Sequence, residues 1–424
     1  MRKSIFGFGL GLSLVAITPW QQVANAFPLQ PVSPQDLTNV GLDDKLSNND
    51  RTPSHQTVDH WQTDREPNAK SKPSLSGWNT RQRDNLLQAI DHSLYYLSTP
   101  KAIATYRSSA TQEFNLDRVR RSLLRFKELL LTSDSPAALQ QAVESEFVFY
   151  QSLGTDRQGT VEFTGYFEPS YTASRVRTAE YRYPLYRKPA GFEGWSTPHP
   201  TRAELEGKDG LGSQQSILKG EELVWLSDRL EAFLVQVQGS ARLQMTDGST
   251  MTVGYGGTTD YPYVSLGKEL VKDGVFNKEE LTLPKLLDYF TANPQLLDQY
   301  LPRNNRFIFF RETAGKPPTG SLGVPVTGDR SIATDKSLMP PGALALIMAP
   351  IPDIQPTGEI NTEIVSRYVL DQDTGSAIKG AGRVDIFLGT GEVAGKRAGL
   401  INGNGKLFYL LLKDNQISGA STGS

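Results

Sequence analysis

The chain has 424 residues and a formal net charge of −2, so it lacks the basic excess typical of nucleic-acid-binding proteins, and we expect no nucleic-acid partner. It has no cysteine, which excludes a disulfide framework, a thiolate metal site and a cysteine nucleophile. Its histidines are His55, His60, His92 and His199, and none of them stands in a metal-ligand spacing such as HExxH. We therefore expect neither a metal nor a cofactor. If the chain is an enzyme, its catalytic group should be a carboxylate.

Residues 1–26 have the pattern of a signal peptide. Arg2 and Lys3 precede an apolar stretch that is too short to span a bilayer comfortably, and Ala24-Asn-Ala26 fits the small-residue cleavage rule. The alternative is a buried N-terminal helix. The following residues, 27–78, are rich in Asp, Asn, Ser and Pro without apolar periodicity, which predicts a disordered polar linker. No later apolar stretch is long enough for a transmembrane helix.

The next segment, residues 79–165, begins with helices. Leucine and isoleucine recur at helical spacing between Leu86 and Leu97, and a second stripe runs from Leu116 to Leu130. A third helix is predicted to begin near Ser135, because Pro136 is favoured in the first turn of a helix. The apolar stripes predict that these helices pack against a sheet.

From Gly159 onward the pattern becomes mainly β. Alternating apolar residues and turn signals predict strands around 161–164, 233–237, 243–245, 251–253, 306–311, 343–349, 364–370, 384–387 and 407–412. Asp247-Gly248 predicts a tight hairpin turn, and residues 265–301 are predicted to be helical. Many short strands with Gly and Pro turns favour closed barrels over a parallel α/β sheet. The length of the ordered part favours two domains.

Asp385 is the strongest candidate for chemistry. It lies in the run Gly380-Ala-Gly-Arg-Val-Asp-Ile-Phe-Leu-Gly-Thr-Gly391, where Val384 and Ile386 indicate a short strand. A carboxylate on a strand is held by a rigid element and can still face a cleft. A turn-capping aspartate is the alternative that the residues alone favour, since Asp beside Gly is common in turns.

Several motifs, taken together and in order, resemble the A-type membrane-bound lytic murein transglycosylases. They are Phe163-Thr-Gly-Tyr-Phe-Glu-Pro169, Tyr183-Pro-Leu-Tyr-Arg187, Phe233-Leu-Val-Gln-Val-Gln-Gly-Ser240 and Asp247-Gly-Ser249. The C-terminal part resembles the "3D" domain, named for three aspartates, and Asp335, Asp373 and Asp385 stand at the matching positions. The motifs of this second resemblance are Ala333-Thr-Asp335 through Pro340-Pro-Gly342, Asp373–Gly380, Val384-Asp-Ile386 and Ala394-Gly-Lys-Arg-Ala-Gly399. The resemblance covers roughly residues 159–413.

The resemblance implies a mainly β fold with N-terminal helices (α+β). A double-psi β-barrel domain would carry a second, inserted β-barrel domain, with a glycan-binding groove between the two. On this basis we expect an inserted domain over residues 166–310, a 3D domain that completes the first barrel over 311–415, and a flexible tail over 416–424.

The resemblance also implies an activity, which is that of a carbon–oxygen lyase acting on a polysaccharide. The family cleaves the β-1,4 bond between N-acetylmuramic acid and N-acetylglucosamine in peptidoglycan without water and leaves 1,6-anhydro ends. Asp385 matches the single catalytic acid, with Asp373 and Asp335 in support. Candidate substrate-binding residues are Tyr166, Gln238, Gly239, Ser240, Lys379 and Gly380.

Two other functions remain open at this point. A glycan hydrolase would use Asp385 as acid and Glu168 or Asp373 as base. A non-catalytic wall protein would keep the groove without turnover. Well-known members of the family are lipoproteins anchored through an N-terminal cysteine, which this chain lacks. We therefore expect an exported protein of the periplasm or outer membrane that is not a lipoprotein.

Overall fold

The computed structural model describes residues 28–32, 78–108, 113–278, 280–354 and 357–414. The predicted signal peptide, the tail over 416–424 and most of the predicted linker lie outside the described residues.

Helices precede the first long strands, as the apolar spacing predicts. Their bounds are α1 Thr80–Leu97, α2 Pro100–Arg107, α3 Leu116–Thr132 and α4 Pro136–Glu146. Polar side chains cap their starts: the Asn79 side chain accepts from the Gln82 N–H at α1, and the Ser135 side chain accepts from the Ala138 N–H at α4. The sequence analysis did not anticipate α2.

A short strand lies inside the segment that was predicted to be a linker, so that prediction is wrong there. Strand β1 (Leu29–Val32) pairs antiparallel with β2 (Phe147–Ser152), and Leu29 is buried in the core. Pro31 has no N–H to donate. It is tolerated because β1 lies at the edge of the sheet, with no strand on its outer side that would need this donor. Four residues without periodicity gain their structure from the partner strand.

The first barrel closes on itself. It consists of β3 Val161–Glu168, β10 Ser331–Ala333, β11 Leu344–Ile354, β12 Ile360–Asp373, β13 Arg383–Thr390 and β14 Asn402–Leu412. The strand order β14-β11-β12-β10-β13-β3 is closed by pairing of β14 with β3. Helix α10 (Glu392–Leu400), which was not predicted, connects β13 to β14.

A second sheet is inserted between β3 and β10. Its strands are β4 Ser170–Ser174, β5 Tyr183–Tyr186, β6 Glu222–Leu226, β7 Ser240–Met245, β8 Thr250–Thr258 and β9 Ile308–Glu312. The order is β5-β6-β4-β7-β8-β9, and a bridge between Arg187 and Phe310 joins its two ends. The expected pair of barrels and the hairpin at Asp247-Gly248 are confirmed.

The inserted domain also contains helices. They are α5 Arg202–Glu206, α6 Arg229–Gln238, α7 Leu266–Lys272, α8 Leu283–Ala292 and α9 Leu297–Tyr300. The helical stretch predicted over 265–301 is confirmed.

The strand predicted over residues 233–237 is wrong, because these residues belong to α6. Asp228 caps the helix, and Gly239 ends it in the left-handed conformation. Most positions of α6 are buried, including Phe233, Leu234 and Val235 on different sides of the helix. A helix that is apolar nearly all round has no 3.6-residue stripe, so its sequence can imitate the alternation of a strand.

Candidate active site

Three strands fix the backbone at Asp385. In β13, Asp385 is opposite Thr164 of the parallel β3 and opposite Ala333 of the antiparallel β10. Val384 and Ile386 are fully buried in the barrel core. Alternation along the strand therefore directs Asp385 to the other face, where 23% of its side chain is exposed.

The Asp385 carboxyl is partly buried, and one of its oxygens has no hydrogen-bond partner among the described residues. Its Oδ1 is inaccessible to solvent and accepts no hydrogen bond from any residue that the structure describes. Burial raises the pKa of Asp385 to about 6; Arg383 opposes this rise, whereas the negative charges of Asp373 and Glu162 add to it. A carboxyl with this pKa can exist as the acid in weakly acidic solution and can release and regain a proton.

Arg383 is the cation nearest to this carboxyl in the described ion pairs. Its Nη1 lies 2.7 Å from Glu162 Oε2, and its Nη2 donates to Thr164 Oγ1 at 2.9 Å. The distance from Arg383 Nη2 to Asp385 Oδ1 is 3.8 Å, which is too long for a hydrogen bond. Arg383 therefore acts on Asp385 through its charge while β3 holds the guanidinium in place.

Asp373, at the end of β12, is tightly hydrogen-bonded. Oδ2 accepts from the Tyr166 hydroxyl at 2.9 Å, and Oδ1 accepts from the backbone N–H groups of Ser321 and Thr374, each at 2.8 Å. Burial raises the pKa of Asp373, and these hydrogen bonds oppose the rise. Both oxygens are used, so the geometry suits a positioned charge beside Asp385.

Tyr166 connects this carboxylate to the barrel wall. Its ring packs against Phe387, with centroids 5.1 Å apart, while its hydroxyl binds Asp373. Burial, followed by the charge of Asp373, raises the pKa of Tyr166 well above its usual value. The structure thus brings Tyr166 together with Asp373 and Asp385.

Asp335 has a local, structural set of contacts. Oδ1 accepts from Ser337 Oγ and Ser337 N, and Oδ2 accepts from the Gly380 N–H at 2.9 Å. Burial acts to raise the pKa of Asp335, but the hydrogen bonds from Ser337 and Gly380 and the charge of Lys379 lower it overall. Asp335 therefore ties residues 374–380 to the end of β10, and Lys379 is exposed beside it.

The predicted group Gln238, Gly239 and Ser240 lies at the junction of the two barrels. Gln238 Oε1 accepts a hydrogen bond from the Phe167 N–H at 3.1 Å, Gly239 caps α6, and Ser240 begins β7. The Gln238 contact ties the end of α6 to β3. The sequence analysis placed the group in the groove on the strength of the motif alone.

A cavity of about 120 Å³ opens between the two barrels at Asp385. The first barrel contributes Asp385, Gly375, Ser376, Ala377 and Ile378, and the inserted domain contributes Arg202, Phe233, Gln236, Val237, Tyr263, Asn304, Arg306 and Ile308. Each side of this site comes from a different domain.

Sequence reasoning missed the polar residues that the inserted domain contributes. Arg202 is buried and donates to Gln236 Oε1 at 2.7 Å and to Glu206 Oε1 at 3.0 Å. Burial raises the pKa of Tyr263 to about 12, with a smaller contribution from Asp385. The capping box Thr201–Glu204 marks only the start of α5, and no sequence signal assigns Arg202 to the cavity.

Glu168, the second carboxylate of the hydrolase hypothesis, is occupied elsewhere. It is buried, Oε2 accepts from Thr390 Oγ1 at 2.8 Å, and Arg242 Nε lies 3.8 Å from the same oxygen. It is absent from the described residues that line the Asp385 cavity.

The described segments were also compared with the requirements of a metal site and of a transmembrane helix. No group of three or more His, Asp or Glu side chains there is arranged to hold a metal ion. No helix in these segments combines the length and apolar character that crossing a bilayer requires.

Comparisons with known proteins agree with this architecture. Residues 162–311 match the family "MltA specific insert domain", and residues 330–411 match the family "3D domain". Membrane-bound lytic murein transglycosylase A of Escherichia coli K12 is 32% identical over 62% of this chain and 68% of its own length. The protein of the same name from Vibrio cholerae is 31% identical over 68% of this chain and 74% of its own length.

A solved structure is similar as well. The crystal structure of E. coli MltA with bound chitohexaose superposes with a TM-score of 0.58 at 28% identity, over 76% of this chain and 89% of that one. Both domain families, the relatives and this fold agree, and the chain therefore belongs to the membrane-bound lytic murein transglycosylase A family.

Proposed function

We propose that this chain, a lytic murein transglycosylase by family, cleaves the N-acetylmuramic acid–β-1,4–N-acetylglucosamine bond with Asp385 as its single general acid and base. The observation that carries the assignment is the buried Asp385 Oδ1, which has no hydrogen-bond partner among the described residues and belongs to a carboxyl that lines the inter-barrel cavity. Its pKa of about 6 suits proton transfer in both directions.

The reaction needs one carboxylate because its nucleophile is part of the substrate. Protonated Asp385 donates its proton to the glycosidic oxygen as the bond to C1 breaks. The muramic acid C6 hydroxyl then bonds to C1, and its proton passes to the ionised Asp385. No water is consumed, and the acid form is restored. Well-oriented intramolecular attack reaches effective molarities on the order of 10⁵ M or more.

The other carboxylates fit supporting roles better than that of a second catalytic group. A hydrolase would need a base with a free oxygen facing a water molecule. Glu168 is held by Thr390 and Arg242, and both oxygens of Asp373 accept hydrogen bonds. Asp373 instead supplies negative charge that helps Asp385 to retain its proton.

Membership of the family supports our proposals for the substrate and the site of action. The E. coli relative was solved with chitohexaose, an oligomer of β-1,4-linked N-acetylglucosamine that resembles a peptidoglycan strand. Relatives are named membrane-bound. We place this chain in the cell envelope, as an exported periplasmic or outer-membrane-associated enzyme.

Mass spectrometry of digested murein sacculi tests the proposal. Wild-type products should carry 1,6-anhydro ends and be one water lighter than hydrolysis products. The Asp385→Asn variant keeps the shape but not the acid, so turnover should fall by roughly 10²–10⁴-fold. Exposed Asp84, changed to Asn, is the matched control. Reducing ends would establish the hydrolase instead, and near-normal turnover of Asp385→Asn would remove Asp385 from its role.

A further inference from the structure

A second and larger cavity lies beyond the C-terminal end of β13, outside the site described above. Its volume is about 560 Å³, which is within the range of pockets that hold small ligands. Its walls come from α1, from the loop over residues 317–329, from the end of β13 with the start of α10, and from Arg242 of the inserted domain.

The α1 wall is polar. Arg81, Asn85, Gln88 and His92 recur every three or four residues, so one face of the helix lines the cavity together with Gln82. Among the described residues, no ion pair or hydrogen bond involves the Arg81 side chain, which is exposed. His92 Nδ1 is buried and makes no hydrogen bond with the described residues. The exposed Arg81 guanidinium is available to a ligand.

The charges that face the cavity are mainly positive. Arg81 of α1 and Arg242 of the inserted domain contribute cations from two different walls. The acidic lining residue is Asp329, and Arg397 neutralises it through contacts of 2.7 Å and 3.0 Å. Arg242 lies 3.8 Å from Glu168, with 40% of its side chain exposed. The cavity thus offers separated cations and amide groups over the apolar surface of Phe387 and Val393.

The cavity and the catalytic candidate lie along the same strand. Phe387 lines it and is two residues from Asp385 along β13, which corresponds to about 6.6 Å. The Phe387 ring contacts Tyr166, which in turn binds Asp373. The cavity therefore lies close to the candidate acid along the same strand.

We propose that this cavity binds the short carboxylate-bearing peptide that is attached to muramic acid in peptidoglycan, with Arg81 and Arg242 as the carboxylate partners. The inference rests on the proposed function. The peptide belongs to the same sugar whose bond is cleaved, and four extended residues span about 13 Å. Amides of Asn85 and Gln88 match peptide N–H and C=O groups, whereas a plain glycan offers no anion to the arginines.

The test compares two substrates: peptide-bearing glycan strands and the same strands after removal of the peptides with an amidase. For Arg81→Ala, the ratio of kcat/KM on peptide-bearing to peptide-free strands should fall by about 1.5- to fivefold, as expected for one lost surface ion pair. Gln88→Ala should lower the same ratio less. Arg120 is an exposed arginine on α3 outside the cavity, and Arg120→Ala should leave the ratio unchanged.

Binding supplies an independent measurement. A synthetic tetrapeptide with free carboxylates should bind the wild-type protein in calorimetry, and its fully amidated form should bind more weakly. An unchanged substrate ratio in Arg81→Ala, equal losses on both substrates, or equal binding of the two peptides would overturn the inference. Anhydro products from peptide-free strands would still support the proposed function, so the two failures are distinguishable.

Discussion

The Tyr166 hydroxyl donates a 2.9 Å hydrogen bond to Asp373 Oδ2, joining residues 207 positions apart in the chain. This contact holds the Asp373 charge at one place beside Asp385. Asp373 raises the pKa of Asp385, so the tyrosine acts on the candidate acid indirectly. Tyr166 is in this sense a positioning residue.

Replacement of Tyr166 by Phe should therefore move the pH profile. The donor that favours the Asp373 anion is lost, the pKa of Asp373 rises, and less negative charge remains near Asp385. The pKa of Asp385 should fall, and the alkaline limb of kcat/KM should shift to lower pH. Turnover should drop only about two- to tenfold, as expected for one hydrogen bond.

Exposed Tyr95, changed to Phe, is the control for this variant. Its pH profile should match that of the wild type. A Tyr166→Phe profile superimposable on the wild type would contradict the indirect role.

The wild-type pH profile itself tests the candidate acid. General acid catalysis needs the protonated carboxyl, and the pKa of Asp385 is about 6. Release of anhydro products should thus decline as pH rises through about 6, approaching tenfold per pH unit above it. Initial rates between pH 4 and pH 9 measure this limb. A rate that stays level to pH 8 would count against Asp385 as the acid.

Substitution of Arg383 should shift the alkaline limb of the pH profile in the direction opposite to that expected for Tyr166→Phe. Its positive charge lowers the pKa of Asp385, so Arg383→Gln should raise that pKa and shift the alkaline limb to higher pH. Arg383→Lys keeps the charge and should restore most of the wild-type profile. A shift to lower pH in the Gln variant would show that Arg383 acts through something other than its charge.

The ionised form of Asp385 should destabilise the folded protein. Its folded pKa of about 6 exceeds the ordinary value of 3.8, so the unfolded chain ionises first and the folded state loses stability as pH rises between these values. Asp385→Asn should match the wild type near pH 3.5 and exceed it at pH 8. The difference is at most roughly 3 kcal/mol, and partial exposure reduces it.

Urea denaturation of the two proteins at both pH values measures this difference. The comparison cancels other titrating groups because only residue 385 differs. A wild-type protein that is the more stable of the two at pH 8 would show that the Asp385 anion is well solvated or paired.

Asp335 should matter for stability rather than for chemistry. Asp335→Ala removes the acceptors for Gly380 N–H and Ser337, which should lower the free energy of unfolding by about 1–3 kcal/mol. Activity should also fall indirectly. Asp335 holds Gly380, and the preceding residues Gly375 to Ile378 line the Asp385 cavity, so loss of the contact should displace that wall.

Asp247→Ala is the matched control for this variant. Asp247 accepts from Ser249 in a similar local turn, but it is exposed. Its distant contact within the described residues is the exposed Arg175 side chain at 3.6 Å, not a backbone N–H. Its loss of stability should be smaller. Equal losses in urea denaturation would mean that the tie to Gly380 adds nothing.

Local signals in the sequence were sufficient for much of the secondary structure. The Asp247-Gly248 turn and the strand around Val384 and Ile386 depend on residues a few positions apart, and the structure confirms both. Helix α6 was misassigned for a physical reason: Phe233 and Val235 are buried on different faces of a helix enclosed by the inserted domain. The burial of that helix is a tertiary fact, and local spacing cannot report it.

Family motifs singled out Asp385, but its chemistry depends on the folded chain. Parallel pairing of β13 with β3 places Asp385 opposite Thr164, and barrel closure brings in Tyr166 and Asp373. The same motifs suggested Gln238 for the groove, whereas the fold uses its side chain to bind the Phe167 N–H. The sequence by itself determined which carboxylate to consider and which elements carry it. Only the tertiary structure decided its burial and the charges around it, because a pKa depends on neighbours in space rather than neighbours in sequence.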